Sequence, residues 1–348
     1  MNHRLIGLLL IIISMAVSWA WMDYQSALNN PAAAGKVSIE IEKGDSLTRI
    51  SQKLIAQHVA IKPFWFKTIA FLGRNHTKIK TGDYELTPGL TLPQILELFV
   101  QGKTKQYSIT FPEGRNFNEL LQEVENNSNL NHLLTGKDFA SVMAQLGVDS
   151  HYPATVSGIM LPSVSLQSLE GLFFPDTYFF DKHMTDISLL KRAFDNMQAI
   201  LTEEWLNKSE GLPFKTPYEA LILASIVEKE TGNKNERPLI SGVFIRRLQA
   251  DMLLQTDPTV IYGMGENYHG GIGYSDLKNA TPYNTYVIKG LPPTPIAMPG
   301  RDAIHAALHP DDSKNLYFVS RGDGSHVFSA TLKEHNAAVN LFQRKNSD

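Results

Sequence analysis

LILASIVEKETG, Leu221–Gly232, decides how this chain is to be read. On a helical wheel at about 100° per residue, Ala220, Ile222, Leu223, Ala224, Ile226 and Val227 gather around Leu223. Ser225, Glu228 and Lys229 fall on the opposite side, with Leu221 the one apolar residue among them. The pattern predicts an amphipathic helix over 217–231 whose polar side meets water. Glu230 breaks it, landing roughly 20° from Leu223 in the middle of the apolar arc. Glu228 and Glu230 are two positions apart and cannot share a face. Glu228 is therefore expected at the surface, lying over a groove, and Glu230 inside.

A carboxylate on a buried stripe is costly as an anion, so its pKa should rise. Thr231-Gly232 reads as the helix stop, which sets Glu230 at the negative end of the helix dipole and pushes the same way. A carboxyl group still protonated near neutral pH is what a general acid for glycosidic cleavage requires. The ordinary alternative is a glutamate in a frayed last turn that bends out to water.

Downstream, NKNERPLISGVFIRRLQADMLL predicts a second helix, with Pro238 near its start and Ile240, Val243, Phe244 and Leu248 as its apolar stripe. QTDPTVIYGMG, PYNTYVIKGLPPTPIAMPG and NLYFVSRGDGSHVFS are rich in Pro, Gly, Tyr and Asn, and a short helix over Arg301–Leu308 precedes the last of them. Residues 213–345 thus read as one α+β domain of packed helices carrying polar-lined loops. Those loops offer Gln255, Thr256 and Asp257, then Tyr283, Asn284 and Tyr286, then His326 and Phe328, as polar and aromatic candidates for lining a site. His326 and Phe328 alternate along a strand and share a side. Structural alternatives stand beside each: a turn or cap at Asp257-Pro258, core packing for the tyrosines, His326 and Phe328. HAALH sets His305 and His309 at i, i+4, a zinc-compatible spacing. No third ligand stands nearby in sequence and Pro310 ends the helix, so no metal or other cofactor is expected. GMGENYHGGIG lacks the strand–helix setting of a phosphate loop, and RGDG at Arg321 reads as a turn.

Toward the N-terminus, MNHR precedes an uncharged run from Leu5 to Trp21, close to the ~17–25 residues that cross a bilayer. Arg4 before it and Asp23 after it favour a cytoplasmic tip, with Trp19 and Trp21 at the far interface. A cleaved signal peptide is the rival reading, but VSWAW is a poor small-x-small cleavage pattern. NNPAAAG reads as a linker. Val37, Ile39 and Ile41 alternate with polar residues as a half-buried strand, and Asp45 or Ser46 can cap a helix carrying Leu47, Ile50, Leu54 and Ile55. A helix over Pro63–Leu72 follows, then strand, turn and helix in TGDYELTPGLTLPQILELFVQGK. YSITFPEGRNFNELLQEV echoes VSIEIEKGDSLTRISQKL, suggesting a duplication. Residues 126–170 look polar and irregular with short helices. LEGLFFPDTYFF, Leu169–Phe180, is either a sugar-stacking cluster or a core strand pair.

Composition sets bounds on these readings. A chain of 348 residues, 43% apolar, holds two or three domains with a sizeable core. A net charge of −3 without a dense basic face gives no reason to expect nucleic acid. The absence of cysteine excludes disulfides, thiolate metal sites and a cysteine nucleophile.

Two resemblances add to this. At GDSLTRISQKL, residues 37–105 resemble a LysM domain, a small fold that binds glycans rich in N-acetylglucosamine, although Pro63–Asn75 is longer than a plain LysM unit has. ASIVEKET, VFIRRL, LQTDPTVIYGMG, YNTY, GLPPTPIAMPG and SHVFS, in this order, resemble the MltG (YceG-like) family of endolytic murein transglycosylases; Thr294 stands where Gly is more usual. The expected organisation is α+β: a cytoplasmic tip and transmembrane anchor (1–23), a LysM-like glycan-binding module (37–105), an intermediate α+β region (106–212) and a catalytic domain (213–345). The resemblance implies cleavage of the β-1,4 bond between N-acetylmuramic acid and N-acetylglucosamine, with 1,6-anhydro ends formed by one glutamate acting as acid and then base. It places that glutamate in the E-K-E stretch. A glutamate followed by a hydroxyl residue points to Glu230-Thr231, with Glu228 and the loop residues above lining the substrate site. Implied partners are peptidoglycan strands, the inner membrane and cell-wall synthases, with the catalytic domain in the periplasm. Two other readings stay open: a non-catalytic glycan-binding scaffold, and a retaining muramidase pairing Glu230 with Asp257, which needs the carboxyls about 5 Å apart.

Overall fold

The computed structural model describes residues 3–148, 151–152, 155–156, 159–160, 164–166, 168–182 and 184–344. Residues 1–2 of the expected tip and 345 of the expected catalytic domain lie outside them. The chain divides into two units, Met1–Tyr107 with Phe179–His183, and Ser108–Tyr178 with Met184–Asp348.

In the first unit, helix α1 (His3–Asn29) contains the one described helix long and apolar enough to cross a membrane, Leu5–Asn29, and none of it is buried. The helix runs on past Asp23 to Asn29, and the segment after it is no free linker. Ala32 N–H donates to Leu90 O and Ala60 N–H to Ala32 O, both at 2.8 Å, and Ala32 and Ala33 are buried. Small side chains allow that close backbone approach. Strands β1 (Val37–Ile41) and β2 (Gly82–Leu86) pair antiparallel, Val37 opposite Leu86 and Ile41 opposite Gly82. Between them lie α2 (Leu47–Ala56) and α3 (Pro63–Leu72); α4 (Leu92–Gln101) follows. Strand alternation turns Ile39 and Ile41 inward, where they meet Ile50, Leu54, Phe66, Ile95, Leu96 and Phe99. The segment read as an insertion therefore supplies a core helix. Ser46 caps α2, accepting from Arg49 N–H, while Asp45 closes the preceding turn by accepting Glu42 N–H (2.9 Å) and pairing with Lys53 (2.7 Å).

Strand β3 (Gln106–Thr110) then leads to α5 (Phe117–Glu125), whose Asn116 and Glu119 form a capping box, and to α6 (Phe139–Leu146). The region read as irregular also holds four two-residue strands, β4 (His151–Tyr152), β5 (Thr155–Val156), β6 (Ile159–Met160) and β7 (Val164–Ser165), paired β4–β7 and β5–β6. Strand β8 (Thr177–Asp181) pairs with β3. Phe173, Tyr178 and Phe180 are buried, so the aromatic run serves the core.

The second unit continues with α7 (Asp186–Leu206), α8 (Pro217–Glu230), α9 (Arg237–Gln249), α10 (Asp257–Met264), α11 (Arg301–Leu308), the hairpin β9 (Tyr317–Ser320) and β10 (His326–Ser329), and α12 (Leu332–Val339). Helix α8 packs against α7, α9, α10 and α11. Its expected wet face is largely covered: Leu221 and Ser225 are both 0% exposed, and of Ser225, Glu228 and Lys229 only Lys229 is exposed. Ile296, Ala297 and Met298 are also buried, and Ser225 meets their segment directly. Its hydroxyl donates to Ile222 O (2.7 Å) and accepts from Ile296 N–H (3.0 Å), so its burial leaves no orphaned polar group. The wheel sees one helix, and the cover arrives some seventy residues later.

Candidate active site

Helix α8 starts at Thr216, which caps it, with Pro217 in the first turn, and stops at Glu230, where Thr231 turns extended (φ −148°, ψ 135°). The side chain leaving that last turn is the unusual one. Glu230 keeps a partly exposed edge while its carboxyl is enclosed by protein. Buried Thr256, the N-cap residue of α10, donates its hydroxyl to Glu230 Oε1. Burial lifts the Glu230 pKa to about 7; the Thr256 hydrogen bond opposes this, the Asp257 charge adds to it, and His326 opposes it.

Thr256 is held by a buried threonine cluster. Its N–H donates to Thr285 Oγ1 (3.0 Å), Thr259 Oγ1 donates to its carbonyl (2.8 Å), and the hydroxyls of Thr259 and Thr285 lie 2.9 Å apart. Gln255, exposed, sits at φ 52°, a left-handed conformation uncommon for a residue with a Cβ, and its N–H donates to Thr285 O at 3.1 Å. Local strain is accepted where the loop delivers Thr256. Asp257, exposed in the first turn of α10, accepts from Tyr286 Oη–H at 2.6 Å. Asp257, Tyr286 and His326 are all within electrostatic reach of Glu230.

On β10, His326 Nδ1 lies 2.7 Å from Glu236 Oε2, and His326 N–H donates to Glu236 Oε1 at 3.0 Å. With Nδ1 engaged by Glu236, Nε2 is the ring nitrogen left to the site. His326 and Phe328 do share a side, their rings 6.4 Å apart, with Phe318 edge-on to His326 at 5.5 Å. Glu236 was absent from the sequence-based candidates; NERP signalled only a helix start.

Three sequence-based assignments need correction or narrowing. Glu228 is not a surface residue, since its side chain is 6% exposed. Its Oε1 accepts from Arg237 Nη2 at 2.7 Å and its Oε2 from Gly300 N–H at 3.0 Å. It joins α8 to α9 and to the start of α11, so its carboxylate is committed within the protein. Asn284, 1% exposed, spends its amide on its own loop. Nδ2 donates to the carbonyls of Asp276 (3.0 Å), Leu277 (3.2 Å) and Asn279 (2.7 Å), and Oδ1 accepts Tyr286 N–H (3.0 Å). It therefore positions Tyr286 and offers no free amide to a sugar. Tyr283 pairs its hydroxyl with Thr294 (2.9 Å) and packs edge-on to Tyr262 at 4.9 Å.

A second buried acid escaped the sequence reading. Glu170 is 5% exposed, accepting Phe117 N–H (3.0 Å) and Tyr262 Oη–H (3.1 Å), and burial lifts its pKa to about 7. The signal was available: one acid inside apolar LEGLFF, as with Glu230. His305 and His309 gain the third group their sequence lacked. Glu204 of α7 places Oε2 2.8 Å from His305 Nδ1 and 3.8 Å from His309 Nε2. Arg301 also pairs with Glu204 at 3.2 Å, so that carboxylate is already charge-compensated.

A helix-cored unit whose central helix ends in a carboxyl of raised pKa, with hydroxyl, phenol and imidazole groups around it, can support acid–base chemistry. The YceG-like family matches residues 39–341, and the chain belongs to that family. The endolytic murein transglycosylase of Bacillus subtilis is 33% identical over 308 residues, covering 87% of this chain and 83% of that protein. The one from Streptococcus pneumoniae strain D39 is 28% identical, covering 93% of this chain but 62% of that protein. A crystal structure of a YceG-like protein from Listeria monocytogenes matches with a TM-score of 0.54 at 28% identity, over 88% of this chain and 99% of that one.

Proposed function

We propose that this chain is an endolytic murein transglycosylase, a peptidoglycan lyase that cuts the β-1,4 bond between N-acetylmuramic acid and N-acetylglucosamine. The activity named for its relatives supports this reading. The observation that carries the mechanism is Glu230, enclosed at the end of α8 with its pKa raised to about 7.

In this mechanism the Glu230 carboxyl gives its proton to the glycosidic oxygen as the bond to muramyl C1 breaks, so the N-acetylglucosamine leaves with a 4-hydroxyl. The resulting carboxylate takes the proton of the muramyl C6 hydroxyl. O6 then bonds to C1 and closes the 1,6-anhydro ring. Glu230 ends protonated again, and no water is consumed. One residue with a pKa near neutrality serves both steps, so no second carboxylate nucleophile is needed. Thr256 aims the carboxyl. His326, fixed by Glu236, and Tyr286, fixed by Asp257 and Asn284, face the developing charge. Gln255, Tyr283 and Phe328 complete the substrate lining.

The first unit supplies the setting. Its strand–helix–helix–strand order, with GDSLTRISQKL running through the first turn and α2, supports a LysM-like glycan-binding module. Helix α1 is assigned as a single-pass anchor in a bacterial inner membrane, with the catalytic domain in the periplasm, where cell-wall synthases are the expected partners. The test is to digest purified peptidoglycan and weigh the products. Anhydromuramyl ends, one water lighter than reducing ends and lost in Glu230→Gln, are expected. Reducing ends alone would mean hydrolysis and would overturn the transglycosylase reading.

A further inference from the structure

Helix α3 carries a stripe that its core does not use. Phe66 and Ala70 are 0% exposed, whereas Phe64, Phe71 and Leu72 are 67%, 56% and 70% exposed. Phe64, Thr68, Phe71 and Leu72 stand at i, i+4, i+7 and i+8, one continuous helical face, and with Lys67 they line an open hollow. An apolar patch of this kind on a small module marks a binding surface.

Helix α1 says what covers it. Asp23, two residues past the apolar run, accepts from Trp65 Nε1 at 2.8 Å and pairs with Lys62 at 2.5 Å; the Tyr24 ring lies 5.1 Å from that of Trp65. The start of α3 is thus fastened to α1 where its apolar length ends. The exit of α1 is stitched to the module through Ala32 and Ala33. Charge agrees. From Gln57 to Gly82 there is no Asp or Glu, while Lys62, Lys67, Arg74, Lys78 and Lys80 are all cationic. Exposed aromatic and aliphatic side chains on a short helix, with Lys67, Arg74, Lys78 and Lys80 around them and the one neighbouring acid, Asp23, already paired with Lys62, suit an anionic bilayer interface.

We propose that α3 lies on the surface of the bilayer that α1 crosses, with Phe64, Phe71 and Leu72 at the headgroup–acyl boundary and the surrounding lysines on anionic headgroups. This rests on the reading of α1 as a membrane anchor. The module is then held at two points, so it cannot swivel about α1 and presents one fixed side to the glycan.

The chain has no cysteine, so single nitroxide labels can be placed without background. Full-length protein in phosphatidylglycerol–phosphatidylethanolamine vesicles would carry Phe71→Cys, Leu72→Cys, Leu10→Cys in α1, or Glu97→Cys on an exposed position of α4. Spin relaxation by oxygen and by a water-soluble nickel chelate reads lipid and water exposure. Labels at 71, 72 and 10 are expected to be oxygen-accessible and at least threefold protected from nickel relative to 97. Nickel access at 71 and 72 equal to that at 97, with 10 protected, overturns this proposal and leaves the anchor standing. Nickel access at 10 removes the anchor reading and this proposal with it. Replacing phosphatidylglycerol with phosphatidylcholine should expose 71 and not 10; no change overturns the role given to the lysines.

Discussion

Glu228 and Glu230 leave the same last turn of α8 on opposite sides, and both are withdrawn from water. Glu228 enters a pocket built for an anion. Burial leaves its pKa raised, with the charges of Glu113 and Asp302 adding to that and Gly300 N–H and the Arg237 guanidinium opposing it. Gly300 is the N-cap residue of α11, so Glu228 also faces the positive end of a helix. Glu230 enters a pocket built for an acid. It receives one neutral hydroxyl and feels the negative charge of Asp257, while the negative end of α8 acts on both glutamates. Burial is shared; the donors differ. A buried carboxyl is a structural tie when a guanidinium and a backbone N–H occupy both its oxygens, and a candidate acid when a single hydroxyl is its partner.

The hardest way to break this contrast is at the acid. Glu230→Gln should lower the rate of anhydromuramyl release by about 10³-fold, within the usual range for removing a general acid–base group. The fold should survive, because a glutamine Oε1 can still accept from Thr256. Mass spectrometry of the products and a thermal melt check the two halves. An active Glu230→Gln variant would move the chemistry elsewhere.

Breaking the other side should unfold rather than inactivate. Arg237→Ala leaves the Glu228 carboxylate buried without its cation, at a cost of about 3–5 kcal/mol. For a unit of this size that lowers Tm by roughly 6–20 °C. Replacing both residues together, Glu228→Met with Arg237→Met, should recover most of the loss. A calorimetric series on the three variants decides it. An unchanged Tm with lost activity in Arg237→Ala would place Arg237 in catalysis.

Acidity sharpens the comparison further. If Glu230 must start protonated, kcat/KM should fall with rising pH above about 7, the value its burial gives it. Glu170 tests the stability side of the same physics without touching the proposed chemistry. Its folded pKa of about 7 lies above the ordinary 4.5, so the native state holds a proton that the unfolded chain releases between those values. Its contribution is full below about 4.5 and is lost as pH rises through about 7, by roughly 3 kcal/mol. Wild-type Tm should therefore drop between pH 5 and pH 8, and Glu170→Gln should flatten that slope.

What could be read from the sequence follows the reach of each interaction. The strands, caps and helices of residues 37–101 were legible because alternation and capping act over two to four residues. Glu230 was legible because a single acid contradicted its own helix. The second covered side of α8 was not, because the 291–300 segment that supplies Ile296 is remote in the chain. Glu228 looked like a surface residue for the same reason, its partners being nine and seventy-two positions away. Glu204 joins two histidines about a hundred residues later, which no local spacing could show. Asn284 failed differently: an amide suited to a sugar is equally suited to three loop carbonyls, and residue type cannot choose between them.

The smallest effect is expected at Asp257, and it separates two chemistries. In a retaining hydrolase Asp257 would be the nucleophile, and Asp257→Asn would cost about as much as Glu230→Gln. In the transglycosylase reading Asp257 only anchors the Tyr286 hydroxyl and raises the proton affinity of Glu230. Asparagine keeps an oxygen that can accept from Tyr286 but removes the charge. Activity should then fall less than about tenfold, anhydro products should persist, and the alkaline fall in kcat/KM should move to lower pH as Glu230 gives up its proton more easily. A shift to higher pH would mean that Asp257 acts on Glu230 through something other than its charge.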